Sequence, residues 1–357
     1  MMKRLIDKLE KYHQLTKDEY ISLIENRNPE ISRYLFEKSR NIRELHYGKK
    51  VFIRGLIEFT NYCKNDCYYC GIRRSNKNTS RYRLTKEQIL DCCKEGYRLG
   101  FRTFVLQGGE DSHYNDQVII DIIKGIKSLY PDCAVTLSIG ERSYESYKAY
   151  YDAGADRYLL RHETADPIHY KRLHPPSLSL ESRKQCLNYL KEIGYQVGSG
   201  FMVGSPGQTS EILAEDLLYL QEFRPHMVGI GPFIPHHDTP FFAEPGGTAE
   251  LTLYIVGLVR LMLPSVLLPA TTAIGTIDPV GREKAILAGA NVLMPNLSPR
   301  EVRDKYMLYD NKISTGDEAA ECTHSIIESM KLIGYQVVID RGDFKGDENI
   351  IQEVSNV

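Results

Sequence analysis

From residue 51 onwards the chain alternates strand patterns with helical patterns, and this alternation restricts its fold more than any other feature. Runs rich in β-branched and aromatic residues, each followed by a helical pattern, recur eight times in about 250 residues. That is the number of units and the length of a TIM-like barrel. The sequence therefore predicts an α/β protein with a complete (β/α)8 barrel. The predicted strands are residues 51–60, 103–107, 134–139, 157–161, 196–203, 227–233, 267–272 and 291–294.

The segments on either side of the alternating region have helical spacing alone. Residues 1–48 are predicted to form an N-terminal helical extension, residues 49–300 the barrel, and residues 301–357 a helical cap packed on it. A doubly wound sheet is the alternative architecture. It is disfavoured because no G-x-G-x-x-G pattern follows the first predicted strand.

Composition and charge exclude several kinds of partner. The formal net charge is −2, so no basic surplus indicates a nucleic-acid partner. The most apolar stretch, residues 251–270, contains Arg260, Pro264 and Pro269, which argues against a membrane span. The first residues are charged and amphipathic without an apolar signal core, which predicts a cytoplasmic protein.

Three of the eight cysteines, Cys63, Cys67 and Cys70, fall within eight residues of one another. Disulfides are not expected in a cytoplasmic protein. A structural zinc site needs four ligands, and no second Cys or His pair of the right spacing is present. A [4Fe-4S] cluster held by three cysteines keeps one iron open for another ligand. The spacing C-x3-C-x2-C, with Tyr69 before the last cysteine, resembles the motif of radical S-adenosylmethionine (SAM) enzymes.

Chemically unusual residues follow most of the predicted strands, at the barrel end where active sites lie. Gly108 and Gly109 lack a Cβ and permit close backbone approach, and Glu110 is suited to accept a hydrogen bond from an ammonium group. Ser138 ends the third strand, and Met202 lies near the end of the fifth, suited to flank an adenine ring.

The charged residues after the fourth strand have two possible readings each. Glu163 is suited to bind ribose hydroxyls, or else to pair with Arg161 or Arg157. Arg183 offers a fork for a carboxylate, or else lies on a solvated helix face.

Further polar residues predict a second, deeper part of the site. Arg161, Thr271 and Thr272 are expected to form a polar, cationic pocket, and a buried arginine requires an anionic partner, so an anionic or metal-bound substrate is expected. Tyr306 follows the last strand and could close that end.

The histidines near the strand ends are not expected to form a metal site by themselves, and at most one of His236 and His237 is expected to face the cavity. His162 faces away from its strand neighbours and is predicted to be structural. His236 and His237 are adjacent, so their side chains are expected to diverge.

The chain resembles the HydE family, the radical SAM maturases of [FeFe] hydrogenases, over about residues 5–340. Biotin synthase and methylornithine synthase are relatives of that family. The resemblance lies in residues 57–59, 63–70, 81–83, 106–111, 157–164, 227–236, 269–276, 291–296 and 306–312.

This resemblance implies an oxygen-sensitive enzyme that binds a [4Fe-4S] cluster through the three cysteines and cleaves SAM reductively to a 5′-deoxyadenosyl radical. It implies a role in building the di-iron subcluster of the hydrogenase H-cluster, on an Fe(CO)2(CN)–cysteine precursor, with the maturases HydG and HydF as partners. The implied SAM contacts are Tyr69, Gly108, Gly109, Glu110, Ser138, Glu163, Arg183 and Met202. The implied substrate-cavity residues are Arg161, Thr271, Thr272 and Tyr306.

One departure concerns a second cysteine triad that some family members carry near the C-terminus. The corresponding positions are Ser314, Cys322 and Ser325, so no second cysteine-ligated cluster is expected. Two other functions stay open. One is a methylornithine synthase-like mutase, which would turn over an amino acid, and the other is a non-enzymatic iron–sulfur carrier, which would not bind SAM.

Overall fold

The structure, a computed structural model, describes residues 1–313, 320 and 323–346. It begins with the predicted helical extension, whose helices start at well-capped positions. Thr16 and Glu19 form a capping box, and Asn28 caps a helix with proline at its first position. The extension packs on the barrel helices through the hydrogen bond from Tyr20 Oη to Gln221 Oε1, 2.8 Å long. The three helices are α1 (Met2–Tyr12), α2 (Lys17–Glu25) and α3 (Pro29–Tyr47).

A sheet of six parallel strands, paired in chain order, forms the centre of the molecule. Its strands are hydrophobic on both faces because helices cover the outer side, as in other parallel α/β sheets. Its members are β2 (Gly55–Thr60), β3 (Thr103–Gly108), β4 (Ala134–Ser138), β5 (Arg157–Leu159), β6 (Gln196–Val203) and β7 (Met227–Pro232).

Helices follow each strand on the outside. Three short helices, at residues 167–173, 272–277 and 300–303, were not predicted, since one to two turns are too short to show periodicity. The helices are α4 (Lys86–Arg98), α5 (Asp116–Leu129), α6 (Tyr144–Asp152), α7 (Pro167–Leu173), α8 (Leu180–Ile193), α9 (Ser210–Phe223), α10 (Ala249–Met262), α11 (Thr272–Ile277), α12 (Gly281–Leu287), α13 (Arg300–Arg303) and α14 (Thr323–Leu332).

The predicted first strand, residues 51–60, is divided in the structure. Its first part, β1 (Lys50–Ile53), lies between β8 (Val292–Leu293) and β9 (Gln336–Val338), whereas β2 pairs with β3. The division reflects a change of neighbours, because β9 accompanies only the first part. The strand β9 was not predicted.

The predicted seventh strand, residues 267–272, is wrong as a regular strand. Leu267 bridges to Met227 and Pro269 bridges to Val292, but only as isolated bridges. Pro269 lacks an N–H group and interrupts the ladder, and α11 begins at Thr272. Even so, residues 267–270 connect β7 to β8 by backbone hydrogen bonds.

The C-terminal segment covers the end of the sheet opposite the cysteines. There Arg157, which is fully buried, donates to Asp343 at 2.6 Å and to Thr103 Oγ1 at 2.9 Å. Burial raises the pKa of Asp343, but the charge of Arg157 and hydrogen bonds outweigh it and lower the pKa to about 2. Arg157 therefore serves the base of the fold and is not the partner of Glu163. None of the helices described has the length and apolar character needed to cross a membrane.

Candidate active site

A cavity of about 340 Å³ lies at the carboxyl ends of the strands. Because parallel strands end at one edge, residues far apart in sequence meet there. All fifteen predicted site residues line it: Cys63, Cys67, Tyr69, Cys70, Gly108, Gly109, Glu110, Ser138, Arg161, Glu163, Arg183, Met202, Thr271, Thr272 and Tyr306.

The cysteines lie on a loop, residues 61–83, that follows β2; we call it the cluster loop. Arg81 holds it together by donating to the backbone carbonyls of Asn61, Ile72, Arg73 and Asn76. In the same loop Arg73 Nε donates to Asp66 at 2.7 Å, and this bond lowers the pKa of Asp66 strongly. Hydrogen bonds from these guanidinium groups thus hold the loop in shape, as backbone hydrogen bonds do in a helix or strand.

The three thiols suit a metal cluster better than a single ion. Burial raises the pKa of Cys63 and Cys67, and raises that of Cys70 to about 12. Among the described residues, His236, His237 and Asp310 are the only group whose ligand atoms all lie within 4.8 Å of one another. The thiols are therefore too far apart for one ion, as a larger four-iron cluster requires, and such a cluster would replace their protons.

Gly109 permits the cluster loop to lie against the end of β3. A Cβ at Gly109 would sit 2.2 Å from the carbonyl oxygen of Tyr62 and 2.7 Å from Cys63 Cβ. The next residue, Glu110, forms an ion pair with Lys64 Nζ at 3.0 Å and accepts a hydrogen bond from the backbone N–H of Glu141 at 3.1 Å. Gly109 was predicted to permit close approach of a ligand, and in the structure it permits close approach of the cluster loop.

Glu163 and Arg161 form a strained, incompletely bonded pair. Glu163 has a φ of +66°, a left-handed conformation that costs a non-glycine residue about 1–3 kcal/mol. Its Oε2 lies 2.8 Å from Arg161 Nη2, yet neither atom makes an aligned hydrogen bond. Glu163 thus pairs with Arg161, as one of the two readings had it. The anionic partner that a buried arginine requires is therefore supplied to Arg161 by the chain itself.

Arg183 is held in place by the chain rather than lying on a solvated face. It is buried, its Nε donates to Glu141 Oε1 at 2.6 Å, and its Nη1 donates to the Arg161 carbonyl at 2.6 Å. No role in the site was predicted for Glu141, although it follows β4 at the same edge of the sheet.

The deep wall holds a buried ion pair that sequence reasoning missed. Glu58 is fully buried on β2, and its Oε1 lies 2.8 Å from Lys312 Nζ. Asn296 Nδ2 donates to the other oxygen at 2.9 Å, and Lys312 also lies over the ring of Tyr306. The one available signal was a carboxylate in the middle of an apolar strand.

Several polar atoms of the cavity are buried without a hydrogen-bond partner among the described residues. Arg161 Nε and Thr271 Oγ1 have no such partner, and Arg161 Nη2, Glu163 Oε2 and Glu58 Oε1 make only the ion-pair contacts given above, without hydrogen-bond alignment. Buried polar groups in folded proteins nearly always have partners. Donors and acceptors left over on one wall therefore fit a polar ligand with both kinds of group.

Tyr69 and Met202 line the side of the cavity next to the cysteines. Tyr69 Oη lies 3.2 Å from His174 Nε2, and burial lowers the pKa of His174 to about 3. Met202 packs with Leu173 and Phe233. These contacts give an apolar surface beside the thiols, such as a purine ring requires.

The histidine expectations had different outcomes. His162 is fully buried between Ser199 and Asp216, consistent with a structural position. The expected divergence of His236 and His237 is wrong, since their rings stack with centroids 4.4 Å apart. Alternation of neighbours holds in a strand, but these residues lie in a turn. Of the second-triad positions, Ser314 and Cys322 lie outside the described residues.

Comparison with known proteins gives four findings. Residues 57–220 match the Radical SAM superfamily. The chain is 45% identical over 343 residues to the [FeFe] hydrogenase maturase subunit HydE of Thermotoga maritima, over 96% of this chain and 97% of that protein. The crystal structure of methylornithine synthase matches with a TM-score of 0.82 at 26% identity, over 94% of this chain and 97% of the other. The crystal structure of HydG, a maturase of the [FeFe]-hydrogenase, has a TM-score of 0.75 at 22% identity, over 93% and 74%, and shares the fold.

Proposed function

The chain belongs to the HydE family of radical SAM [FeFe] hydrogenase maturases, and from this premise we propose how its cavity divides between cofactor and substrate. It is an enzyme that uses a [4Fe-4S] cluster and SAM in hydrogenase maturation. The reduced cluster, when bound, supplies the electron that cleaves SAM to methionine and a 5′-deoxyadenosyl radical. The chain's own residues bind, orient and enclose the reactants.

We propose that Cys63, Cys67 and Cys70 ligate the cluster and that the cavity wall beside them binds SAM. Glu110, which pairs with Lys64 in the structure, accepts a hydrogen bond from the ammonium group of SAM. Arg183, which Glu141 holds in position, donates to the carboxylate of SAM. Glu163 accepts from the ribose hydroxyls; its Oε2 supports this, because it makes no aligned hydrogen bond despite its ion pair with Arg161. Met202 and Tyr69 flank the apolar part, and Gly108, Gly109 and Ser138 form the adjoining wall.

We propose that the deeper part of the cavity binds the substrate, an Fe(CO)2(CN)–cysteine complex. The observation that carries this assignment is that Arg161 Nε and Thr271 Oγ1 are buried there without a hydrogen-bond partner among the described residues. Arg161 is a donor to a carboxylate, and Thr271 and Thr272 are suited to polar ligands. Tyr306, 2% exposed, closes the end. Placement between the thiols and this wall would hold a substrate near the reacting atoms of SAM.

The finer architecture belongs to the same proposal. The isolated bridges at Leu267 and Pro269 support a complete ring of eight strands, in which residues 267–270 stand between β7 and β8. Such a ring encloses the cavity on all sides and excludes water during radical chemistry. We assign residues 1–48 to the helical extension, 49–300 to the barrel and 301–357 to the cap, in a cytoplasmic protein.

HydG, as supplier of the substrate, and HydF, as acceptor of the product, are the proposed partners. A methylornithine synthase-like mutase is less well supported, because that protein is 26% identical and the HydE of Thermotoga maritima is 45% identical. An iron–sulfur carrier would leave the unpartnered cavity atoms without a use.

The test is reductive SAM cleavage. The protein is loaded anaerobically with iron and sulfide, reduced, mixed with SAM and assayed for 5′-deoxyadenosine. Cys67→Ser is expected to abolish the product, whereas Cys186→Ser, a buried thiol on α8, is expected to retain it. Product formation by Cys67→Ser contradicts the ligand assignment. Labelled lysine turned over to a rearranged amino acid would favour the mutase.

A further inference from the structure

The cluster loop carries more positive charge than its folding uses. Residues 61–83 contain six cations, Lys64, Arg73, Arg74, Lys77, Arg81 and Arg83, and one anion, Asp66, in a chain whose net charge is −2. Two of the cations, Arg73 and Arg81, bind the loop's own carboxylate and carbonyl groups. Two others pair with cavity-edge carboxylates, Lys64 with Glu110 and Arg83 with Asp111.

Arg74 and Lys77 remain. Both are exposed, and within the part of the chain that the structure describes no ion pair or side-chain hydrogen bond engages either of them. Arg74 lies directly over the ligand segment, because its backbone N–H donates to the carbonyl of Asn65 at 2.8 Å, between Cys63 and Cys67. These two charges therefore stand next to the cysteines without a structural task.

A second basic edge meets the loop from the other side. The backbone N–H of Tyr68 donates to the carbonyl of Leu173 at 3.0 Å, which places the end of α7 beside the cysteines. Lys171 and Arg172 on that turn are exposed. A surface groove of about 360 Å³ runs from Lys171 to Tyr68, with the exposed carboxylate of Glu181 among its lining residues.

Apolar side chains accompany these charges. Ile168 on α7 is 80% exposed and Phe242 is 64% exposed. Phe242 follows Phe241, whose ring lies 6.2 Å from that of Tyr68. Aromatic and arginine side chains are enriched at protein interfaces, so Phe242 together with Arg74 and Arg172 favours a protein contact here. We call Arg74, Lys77, Lys171, Arg172, Ile168 and Phe242 the cluster-loop surface.

We propose that the cluster-loop surface docks a small acidic iron–sulfur protein of the ferredoxin type, which delivers the single electron that the enzyme's cluster needs. This inference rests on the proposed cysteine ligation. In the step the donor loses one electron and the cluster gains it, and no bond forms or breaks. Charge complementarity selects the occupant, since the uncompensated cations attract an acidic partner. Redox complexes are small and transient, and a patch of this size suits one.

The test uses the cluster-loaded enzyme and an acidic ferredoxin as the probe. The variant Arg74→Glu/Lys77→Glu reverses the two unpaired charges and leaves the cavity intact. The matched control, Lys94→Glu/Lys124→Glu, reverses two exposed charges on α4 and α5. Two quantities are measured anaerobically at low ionic strength: the Kd for oxidised ferredoxin, and the rate of cluster reduction by reduced ferredoxin. Dithionite-driven formation of 5′-deoxyadenosine is measured in parallel.

Binding and ferredoxin-driven reduction are both expected to weaken by about tenfold in Arg74→Glu/Lys77→Glu, and raised salt should weaken the wild type similarly. The dithionite-driven rate and the Lys94→Glu/Lys124→Glu variant should keep wild-type values. An unchanged Kd, or an equal loss in the control, overturns the docking site. So does a short DNA duplex that binds as tightly with the same dependence on Arg74 and Lys77. Failure of the wild type to cleave SAM with dithionite would instead count against the proposed function, while the Kd still decides the docking site.

Discussion

Replacing Lys312 with methionine is expected to destabilise the protein by about 3–5 kcal/mol. The replacement leaves the carboxylate of Glu58 buried, with Asn296 as the one remaining hydrogen-bond donor among the residues that the structure describes. The side chains of Glu58 and Lys312 are 0% and 5% exposed, so solvent screens neither of them. At their 2.8 Å separation the attraction is about 6 kcal/mol for an effective dielectric constant of about 20. Most of that attraction offsets the cost of removing the two charges from water. When Lys312 is lost, the cost of burying the Glu58 carboxylate is no longer offset.

The matched double variant separates the pair from its surroundings. Glu58→Gln alone leaves a buried ammonium and should cost a similar amount, whereas Glu58→Gln with Lys312→Met removes both charges and keeps an acceptor for Asn296. We expect the double variant to lie within about 2 kcal/mol of the wild type, so that the two changes couple strongly. The exposed pair Lys148–Asp152, one turn apart on α6, serves as the control and should couple by only about 0.3–0.5 kcal/mol.

The assay is urea unfolding followed by circular dichroism under anaerobic conditions, with the free energy of unfolding taken from the midpoint and slope. The double-mutant cycle gives the coupling energy directly. A cost below about 1 kcal/mol for Lys312→Met, or simple additivity of the two changes, would refute the reasoning that the deep wall excludes water.

Three further outcomes are expected. Gly109→Ala should lower iron content severalfold after loading, because its Cβ meets the backbone of Tyr62, whereas Gly125→Ala on α5 should load normally; equal loading would contradict the close approach. His174 has a folded pKa of about 3 against about 6.5 unfolded, so the unfolded chain takes up the extra proton and stability falls as pH drops below 6.5, by about 2 kcal/mol at pH 5. His174→Gln should flatten that part of a urea-midpoint profile, and an unchanged slope would reject the assignment. Glu163→Gln should raise the SAM concentration for half-maximal 5′-deoxyadenosine formation by about tenfold with little loss of stability; an unchanged value would remove Glu163 from the SAM site.

The sequence was most informative where a topological rule linked distant residues. The rule that parallel strands end at one face brought fifteen residues, from Cys63 to Tyr306, to a single cavity. Each was weak evidence alone, since a polar residue after a strand is common. Their joint position was strong evidence, because the rule applied to every strand at once.

Pairings between distant side chains were not predictable in the same way. Lys312 lies 254 residues from Glu58, and no local pattern connects them. Arg183 was predicted to meet a carboxylate, but Glu141 as its partner follows only from the packing of α8 beside α6, because Glu141 lies just before α6. A local rule also gave a wrong result where it did not apply. Neighbouring side chains point in opposite directions in a strand, but His236 lies in a turn.

The charges of the cavity explain what kind of ligand it can select. Its cations each have a carboxylate on the chain: Arg161 with Glu163, Arg183 with Glu141, and Lys312 with Glu58. The cavity is therefore electrically balanced before any ligand enters, so net charge alone gives little attraction.

What the chain leaves unsatisfied is hydrogen bonding, at Arg161, Glu163 and Thr271 among others. Selection inside the cavity must then come from matched donors and acceptors, as a zwitterionic amino-acid group offers. The cluster-loop surface has the opposite character, with uncompensated cations and solvent exposure, so there attraction acts at long range and depends on salt. The two surfaces thus separate tight, geometry-dependent binding of reactants from fast, weak contact with a protein donor.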